Sequence, residues 1–276
     1  MPSNEQRRQA AKRKLERQLA RRAERAKRRR IWGAGITAFV VIAAVGLVYW
    51  LVNLGPADGE ASTSPDKTSP ANATKGACGY KENPSEKPPK DVGMPEDPAQ
   101  TPKDGTVKVT LKTNQGDIPL TLDRSAAPCT VQSIEHLVTS KFFDGTNCHR
   151  LTASAGLKVL QCGDPKGDGS GGPGYSIPDE LSSAQALTPG ADGQTVTYPR
   201  GAIAMANAGP ETGGSQFFLV YGDSTLAPSY TLFGKVDDPG LTVLDKIAAG
   251  GITPGANGGE DGAPAQPVTI NQAVKE

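Results

Sequence analysis

The feature that most constrains this chain is a run of 24 residues without a charge, IWGAGITAFVVIAAVGLVYWLVNL, at positions 31–54. At about 1.5 Å of rise per residue, a helix of this length exceeds the roughly 30 Å hydrocarbon core of a bilayer. No polar stripe interrupts the run, and Trp32, Tyr49 and Trp50 lie near its two ends, where interfacial aromatic residues occur. The run therefore predicts a single transmembrane anchor.

The segment before this run is strongly basic. Residues 1–30 contain 13 Lys and Arg but three Glu. Because basic residues are retained in the cytoplasm, we expect a cytoplasmic tail over residues 1–30 and an extracytoplasmic location for everything after about residue 55. A cleaved signal peptide is the alternative, but its basic and apolar regions are shorter than these. Nucleic-acid binding by the tail is not expected, because no aromatic residues are interspersed among the basic ones.

Residues 55–104 are rich in Pro, Ser, Thr, Lys and Asp and poor in large apolar residues. Such a composition offers little apolar surface to offset the entropy of ordering the chain. We therefore expect a disordered, proline-stiffened linker that holds a domain away from the membrane. The stretch ACGYKEN, at positions 77–83, is the exception and is expected to dock on that domain.

The four cysteines, Cys78, Cys129, Cys148 and Cys162, all lie on the predicted outer side of the membrane. Outside the reducing cytosol, an even number of cysteines indicates two disulfides. Three pairings are possible, and the sequence does not choose among them. If Cys148 and Cys162 lie on neighbouring strands, Cys78 is left to pair with Cys129. A metal site is not expected, because no CxxC pair is present and the chain has two His.

From residue 105 to residue 276 the pattern changes to that of a folded domain. TVKVTLKT and GDIPLTL alternate apolar and polar residues on either side of a short polar turn, which predicts a β-hairpin. Helical periodicity predicts helices over 125–140 and 240–251. Further strands are predicted near 146–151, 157–162, 201–206, 216–221 and 231–236 and at the C-terminus. Many short strands with two helices indicate a mainly β domain, either a barrel or a sandwich.

Two glycine-rich stretches do not have the context of nucleotide-binding loops. A P-loop places Lys-Ser/Thr after its glycine turn and opens a helix, whereas GPETGGSQ at 209–216 leads into the apolar strand FFLV. GDPKGDGSGGPGY at 163–175 likewise lacks the helix start that a dinucleotide-binding motif needs. No nucleophile elbow and no His-Glu-x-x-His pair are present. We interpret His136 and His149 as structural residues rather than catalytic ones.

The segment MANAGPETGGSQFF at 205–218 resembles the signature of the cyclophilins, a family of prolyl cis–trans isomerases. The motifs HR at 149–150, Q-x-G-D at 161–164, GSGG at 169–172 and TLFGKV at 231–236 follow in the order of that family. The resemblance covers about residues 105–276 and is closest in style to membrane-anchored cyclophilins of actinobacteria. It implies an eight-stranded antiparallel barrel capped by two helices, here preceded by the transmembrane helix and the disordered linker.

The resemblance also implies a role for particular side chains. Arg150 is implied to be the catalytic arginine. Gln161 and Asn207 are implied to contact the substrate backbone, and Phe218 to line the proline pocket. Alternation along a strand puts Phe217 and Phe218 on opposite faces, so that one can pack in the core. The full set of implied substrate-binding residues is Val159, Gln161, Ala206, Asn207, Ala208, Gln216, Phe218, Leu226 and Tyr230.

Two stretches depart from the family pattern. Three extra residues, in TASAGLK, separate Arg150 from Gln161, so that the pocket wall is formed by Lys158 and Val159 or, if the register slips, by Leu157. Leu226 lies where the family has a tryptophan, and Tyr230 where it has a histidine. Because the lost indole is a hydrogen-bond donor associated with cyclosporin binding, we expect weak inhibition by cyclosporin.

The implied reaction is rotation about an X–Pro peptide bond, which requires no cofactor, nucleophile or metal. We expect proline-containing polypeptides as partners, a monomeric catalytic domain, and a role in the folding of exported or cell-envelope proteins. The alternative is a proline-peptide-binding chaperone module with little catalytic turnover. Arg150 favours the enzyme, because binding alone needs no group directed at the amide nitrogen.

Overall fold

The computed structural model describes residues 73–83, 86–255 and 258–276 of the chain. These residues form fifteen strands and three helices. The helices are α1 Pro128–Thr139, α2 Ser182–Gln185 and α3 Asp238–Ala249. The strands are β1 Lys81–Glu82, β2 Thr106–Thr113, β3 Gly116–Asp123, β4 Thr146–Asn147, β5 Arg150–Thr152, β6 Lys158–Cys162, β7 Tyr175–Ser176, β8 Val196–Tyr198, β9 Ala202–Met205, β10 Phe217–Gly222, β11 Ser224–Leu226, β12 Leu232–Val236, β13 Ile252–Gly255, β14 Gly258–Pro264 and β15 Thr269–Lys275.

Eleven of the strands form one sheet, in the order β13-β14-β5-β6-β10-β9-β12-β3-β2-β15-β4. All of its neighbouring strands pair antiparallel. One stretch of chain contributes strands near both ends of this sheet. β4 pairs with β15 at one end, and β5, which begins three residues after β4 ends, pairs with β6 near the other end. Between them the Cys148 N–H donates to the Val268 carbonyl at 2.9 Å. The sheet is therefore curled, and residues 146–152 connect its two sides.

The predicted mainly β fold is confirmed, but the sheet has eleven strands where eight were expected. Two of the three additional strands are the hairpin β13–β14, which adds to the edge at β5. This hairpin lies in a glycine-rich stretch that has no alternating pattern, so its strands could not be predicted. The third additional strand is β4, the first part of the stretch that continues as β5.

Both helices predicted from periodicity are present, with different first residues. Helix α1 begins at Pro128 because proline fixes φ and its missing N–H needs no partner in the first turn. Helix α3 begins at Asp238 and also has a proline in its first turn. The single turn of α2 was not predicted, because four residues are too few to show a helical period.

The proline-rich segment before the domain packs on it over residues 73–83 and 86–104, which we call the docked segment. Tyr80 is fully buried, donates its hydroxyl to the Cys129 carbonyl at 2.8 Å and packs edge-on against Tyr175. A disulfide joins Cys78 to Cys129, and β1 pairs with β7. The docking expected for ACGYKEN is therefore present. The expected disorder up to residue 104 was wrong for this segment, because a single tyrosine and a disulfide anchor a composition that is otherwise typical of linkers.

Two buried apolar clusters lie on the two faces of β10. Phe217 and Leu219 belong to the larger cluster beneath α1 and α3, whereas Phe218 and Val220 belong to a smaller cluster. Phe217 contacts Phe143 edge-on, with 5.7 Å between ring centroids. The predicted division of Phe217 and Phe218 between opposite faces is confirmed.

The predicted cytoplasmic tail and the predicted span at residues 31–54 lie outside the described residues. Within residues 73–83, 86–255 and 258–276, no helix is long and apolar enough to cross a bilayer.

Candidate active site

Arg150 lies at the start of β5, and a carboxylate from the hairpin β13–β14 holds its side chain. Its Nε donates to Oδ1 of Asp261 and its Nη2 to Oδ2, each at 2.8 Å. Its Nη1 donates to Oε1 of Gln161 at 3.3 Å. The hydrogen bond to Asp261 raises the pKa of Arg150 above its already high ordinary value. The side chain is 38% exposed, so the guanidinium is oriented, permanently charged and accessible to a ligand.

Arg150, Gln161 and Phe218 lie in one row across three adjacent strands. Arg150 is directly opposite Gln161 in the pairing of β5 with β6, and Gln161 is directly opposite Phe218 in the pairing of β6 with β10. Residues that face each other across antiparallel strands project their side chains from the same face of the sheet. The structure therefore places a cation, an amide and an aromatic ring side by side.

The polar part of this row continues into the glycine-rich loop. The Gln161 Nε2 donates to Gln216 Oε1 at 2.9 Å. The Gln216 Nε2 in turn donates to the carbonyls of Gly169 and Gly171, at 2.9 and 2.8 Å. Both amide orientations are thereby fixed by their partners, and the predicted residues Arg150, Gln161 and Gln216 form one connected chain.

Phe218 belongs to a group of three aromatic rings, of which the sequence predicted Phe218 and Tyr230 as site residues. Its ring lies edge-on to Tyr230 at 5.5 Å and to Tyr198 at 6.2 Å between centroids. The Tyr198 hydroxyl donates to the Tyr230 carbonyl at 2.8 Å, and burial raises the pKa of Tyr198 to about 12. Phe218 is 5% exposed, so these three rings form a firm apolar surface beside Arg150.

The remaining wall of the apolar surface comes from β6 and β11. Val159 is buried in the same cluster as Phe218, and Leu157 and Leu226 pack against that cluster. Of the two alternatives stated for the pocket wall, Lys158 with Val159 or else Leu157, both Val159 on β6 and Leu157 just before it contact this cluster. Lys158 is not part of the cluster.

The predicted binding residues Ala206, Asn207 and Ala208 follow β9. The Asn207 side chain donates to the Ser229 carbonyl at 2.8 Å and accepts from the Gly209 N–H at 3.3 Å. Within the part of the chain that the structure describes, the backbone of Asn207 makes no hydrogen bond. The side chain of Asn207 thus holds the loop in place, and its backbone groups can pair with an extended peptide.

The predicted site residues divide between a cavity and the apolar surface next to it. A cavity of about 610 Å³ is lined by Gln161, Ala206, Asn207, Ala208 and Gln216. Arg150, Val159, Phe218, Leu226 and Tyr230 do not line this cavity. Gln161 belongs to both parts, because it lines the cavity and contacts Arg150.

A second disulfide ties together the two strands that carry Arg150 and Gln161. It joins Cys148, two residues before Arg150, to Cys162, which directly follows Gln161. The two disulfides, Cys148–Cys162 and Cys78–Cys129, are the pairing expected if Cys148 and Cys162 lie on neighbouring strands. His149, between Cys148 and Arg150, is half-buried, and its Nδ1 has no hydrogen-bond partner among the described residues. Burial lowers the pKa of His149, Arg150 lowers it further, and the charges of Asp164 and Asp168 oppose this shift.

Two residues of the site, Asp261 and Tyr198, were missed by sequence reasoning. Asp261 is 111 residues from Arg150 in the chain and lies in GGEDGAP, where no local pattern marks it. Tyr198 had a weak signal in the sequence, since Val196, Thr197 and Tyr198 alternate apolar and polar residues as a half-buried strand does.

Comparisons with known proteins show the family of this chain. Residues 108–275 match the model of the cyclophilin-type peptidyl-prolyl cis-trans isomerase family. The chain is 45% identical to the probable peptidyl-prolyl cis-trans isomerase B of Mycobacterium leprae, with 98% of both chains covered. It is 48% identical to the protein of the same description in Mycobacterium tuberculosis, with 99% of this chain and 94% of that protein covered. A cyclophilin-type isomerase structure from Cryptosporidium parvum is 26% identical and covers 62% of this chain and 98% of its own, with a TM-score of 0.48.

Proposed function

Because this chain belongs to the cyclophilin-type peptidyl-prolyl cis–trans isomerases, we propose that it acts from a membrane anchor, outside the cytoplasm, on exported and cell-envelope proteins. The isomerase activity follows from the family match and from relatives that cover nearly the whole chain. The anchor, the location and the choice of substrates are the proposed part.

The reaction to be catalysed is rotation about the amide bond that precedes proline. Resonance gives this bond a barrier of about 18–20 kcal/mol, and the planar ground state has no free lone pair on nitrogen. In the twisted transition state the nitrogen becomes pyramidal and can accept a hydrogen bond. A protein group that donates to this nitrogen therefore stabilises the transition state more than the ground state, which is what acceleration requires.

The single observation that carries the mechanism is the row formed by Arg150, Gln161 and Phe218. A proline ring placed on the apolar surface of Phe218 has the Arg150 guanidinium beside its nitrogen. Three of the five guanidinium N–H groups are used by Asp261 and Gln161, which leaves two for a substrate. An acceleration of about 10⁵ requires roughly 7 kcal/mol of differential binding, within the reach of charge-assisted contacts in a shaped site.

The substrate backbone is gripped next to the reacting bond. The free N–H and carbonyl of Asn207 suit an extended peptide, and Gln161 presents its amide between the cation and the aromatic ring. Holding the residues on one side of the X–Pro bond fixed confines the rotation to that bond, because only the other side then moves.

Two features support the proposed location. The two disulfides are typical of oxidising compartments. The uncharged run at 31–54, preceded by a basic tail, predicts the anchor and its orientation. For the domain itself we propose a closed barrel of eight strands, β2, β3, β5, β6, β9, β10, β12 and β15, with residues 146–152 closing it and the hairpin β13–β14 added at its edge.

A labelling experiment tests the location. Single cysteines are introduced by Ser3→Cys in the basic tail and by Ser64→Cys after the predicted span, and cells are treated with a membrane-impermeant maleimide. We expect labelling at position 64 in intact spheroplasts and at position 3 only after lysis. Labelling at position 3 in intact spheroplasts, or none at position 64 before lysis, contradicts the proposed orientation.

A refolding experiment tests the choice of substrates. The full chain, purified in mild detergent, is added to an exported protein whose refolding is limited by X–Pro isomerisation. We expect the slow phase, tens to hundreds of seconds when uncatalysed, to accelerate with enzyme concentration and not with the Arg150→Ala variant. If short proline peptides are isomerised and the exported protein is not, the proposed substrates are wrong and the isomerase activity stands.

A further inference from the structure

The cavity beside the catalytic row has a second wall that does not come from the part of the chain matched by the family model. Lys81, Glu82, Asn83 and Glu86 of the docked segment line it, opposite Gln161 and Gln216. The family match begins at residue 108. A volume of about 610 Å³ lies in the usual range for pockets that hold a ligand group, roughly 300–1,000 Å³.

This second wall is fixed to the domain. Lys81 is paired with Ser176 and Glu82 with Tyr175 in the two-stranded sheet β1–β7. The Asn83 N–H donates to the Gly174 carbonyl at 2.8 Å. The disulfide from Cys78 to Cys129 anchors the same stretch, so residues 78–83 hold their positions at the cavity.

The charge of the second wall is negative. Glu82 and Glu86 both line the cavity, and the one cation among the lining residues, Lys81, is paired with Glu211 at 3.2 Å. Glu82 is exposed, and its carboxylate is accessible to a ligand. The positive charge of Lys166 acts on Glu86 and offsets part of this charge.

Glu86 is placed over the glycine-rich loop that also holds Gln216. Its carboxylate accepts from the Gly174 N–H at 3.3 Å. A Cβ at Gly172 would lie 2.4 Å from its Oε1, so the carboxylate lies directly against the backbone of this loop. Burial raises the pKa of Glu86. Burial thus disfavours the charged carboxylate, and a cation bound beside it would stabilise the charged form again.

We propose that this cavity binds a lysine or arginine side chain of the substrate polypeptide, close to the isomerised X–Pro bond, and that Glu82 and Glu86 determine this preference. The cavity adjoins the catalytic row through Gln161, which contacts Arg150. A residue of an extended peptide advances roughly 3.3 Å, so a side chain within three residues of the proline reaches the cavity. The inference rests on the isomerase activity stated above.

Peptide kinetics test the inference. The full chain, with its disulfides intact, is assayed for isomerisation of short proline peptides that carry Lys, Ala or Glu at each of the three positions on either side of the X–Pro bond. At one of these positions we expect kcat/KM for the Lys peptide to exceed that for the Glu peptide about fivefold at low salt, as for two partly exposed ion pairs of ordinary strength. The preference should shrink at high ionic strength.

Matched variants assign the preference to the docked segment. The double variant Glu82→Gln/Glu86→Gln removes both carboxylates at nearly constant shape. The control Glu96→Gln/Asp104→Asn removes two carboxylates from the same segment that do not line this cavity. We expect the first variant to lose the preference for Lys and to retain turnover of the Ala peptide, and the control to behave as the wild type.

The outcomes separate this inference from the isomerase activity. If the wild type turns over the Ala peptide but shows no preference for Lys at any position, the inference is wrong and the activity stands. A preference that survives in Glu82→Gln/Glu86→Gln, or that disappears equally in the control, also overturns it. If no peptide is isomerised by the folded chain, the activity itself fails, and the inference with it.

Discussion

Replacing Asp261 by alanine removes two of the three hydrogen bonds that orient the Arg150 guanidinium. Both bonds are 2.8 Å long and bidentate, whereas the third, to Gln161, is 3.3 Å. The Asp261→Ala variant therefore leaves the cation in the site but frees its long side chain to adopt other rotamers. We expect the rate of isomerisation to fall, although Asp261 itself need not contact the substrate.

The size of this fall follows from two opposing effects. Ordering an arginine side chain costs up to about 2 kcal/mol, so a free Arg150 must meet that cost in the transition state, which corresponds to roughly 30-fold in rate. Removing the carboxylate also strengthens the field of the cation at the proline nitrogen. The pair is 38% and 24% exposed, so solvent screens this gain to less than about 1 kcal/mol. Orientation dominates, and the net fall in kcat/KM should be about tenfold.

The assay is kcat/KM for a short proline peptide, measured with Asp261→Ala, Asp261→Asn and a matched control. Asparagine keeps one acceptor oxygen, so kcat/KM for Asp261→Asn should fall about threefold, less than for Asp261→Ala. The control is Asp245→Ala. Asp245 accepts two hydrogen bonds from Arg200, of 2.7 and 2.8 Å, and neither residue is one of the site residues. A kcat/KM within twofold of wild type in a folded Asp261→Ala protein would refute the reasoning.

Three further predictions concern stability and the apolar surface. Replacing Cys148 and Cys162 by serine should lower the free energy of unfolding by about 3 kcal/mol, the value for a loop of roughly 15 residues; an unchanged denaturant midpoint contradicts it. Burial lowers the pKa of His149, so the stability due to its neutral ring is present above the ordinary pKa of about 6.5 and is lost as the pH falls through the lowered value. His149→Gln should flatten the pH dependence of unfolding in that window, and an unaltered slope counts against it. Phe218→Ala should destabilise the domain by about 3 kcal/mol and raise KM for proline peptides under conditions where it stays folded; an unchanged KM excludes Phe218 from the proline site.

The sequence predicted those parts of the structure that are marked by a regular apolar spacing or by a continuous motif. The hairpin of β2 and β3 and the helices α1 and α3 carry regular apolar spacing, because each buries one face. Arg150, Gln161 and Phe218 were singled out by the family resemblance, and their alignment in one row came only with the strand pairing. The division of Phe217 from Phe218 followed from strand geometry alone.

Features that depend on distant or isolated residues could not be predicted in the same way. The docking of ACGYKEN through Cys78 and Tyr80 was expected, but the ordered packing of residues 86–104 was not, because their composition is that of a linker. Asp261 reaches Arg150 from a glycine-rich hairpin, and only the pairing of β14 with β5 brings them together. Such contacts are set by the topology of the sheet, which a local pattern does not encode.

The proposed role of the Arg150 guanidinium is to stabilise the twisted amide. The most direct measurement is kcat/KM for a proline peptide with the folded variants Arg150→Ala and Arg150→Lys, beside Arg200→Ala as a control of equal charge change. Loss of a preorganised donor to the transition state costs about 3–4 kcal/mol, so Arg150→Ala should be slower by about 10²–10³-fold. Lysine lacks the planar fork that pairs with Asp261 and should recover little of this activity, and Arg200→Ala should match the wild type. An Arg150→Ala protein that retains kcat/KM within threefold of wild type would contradict the account.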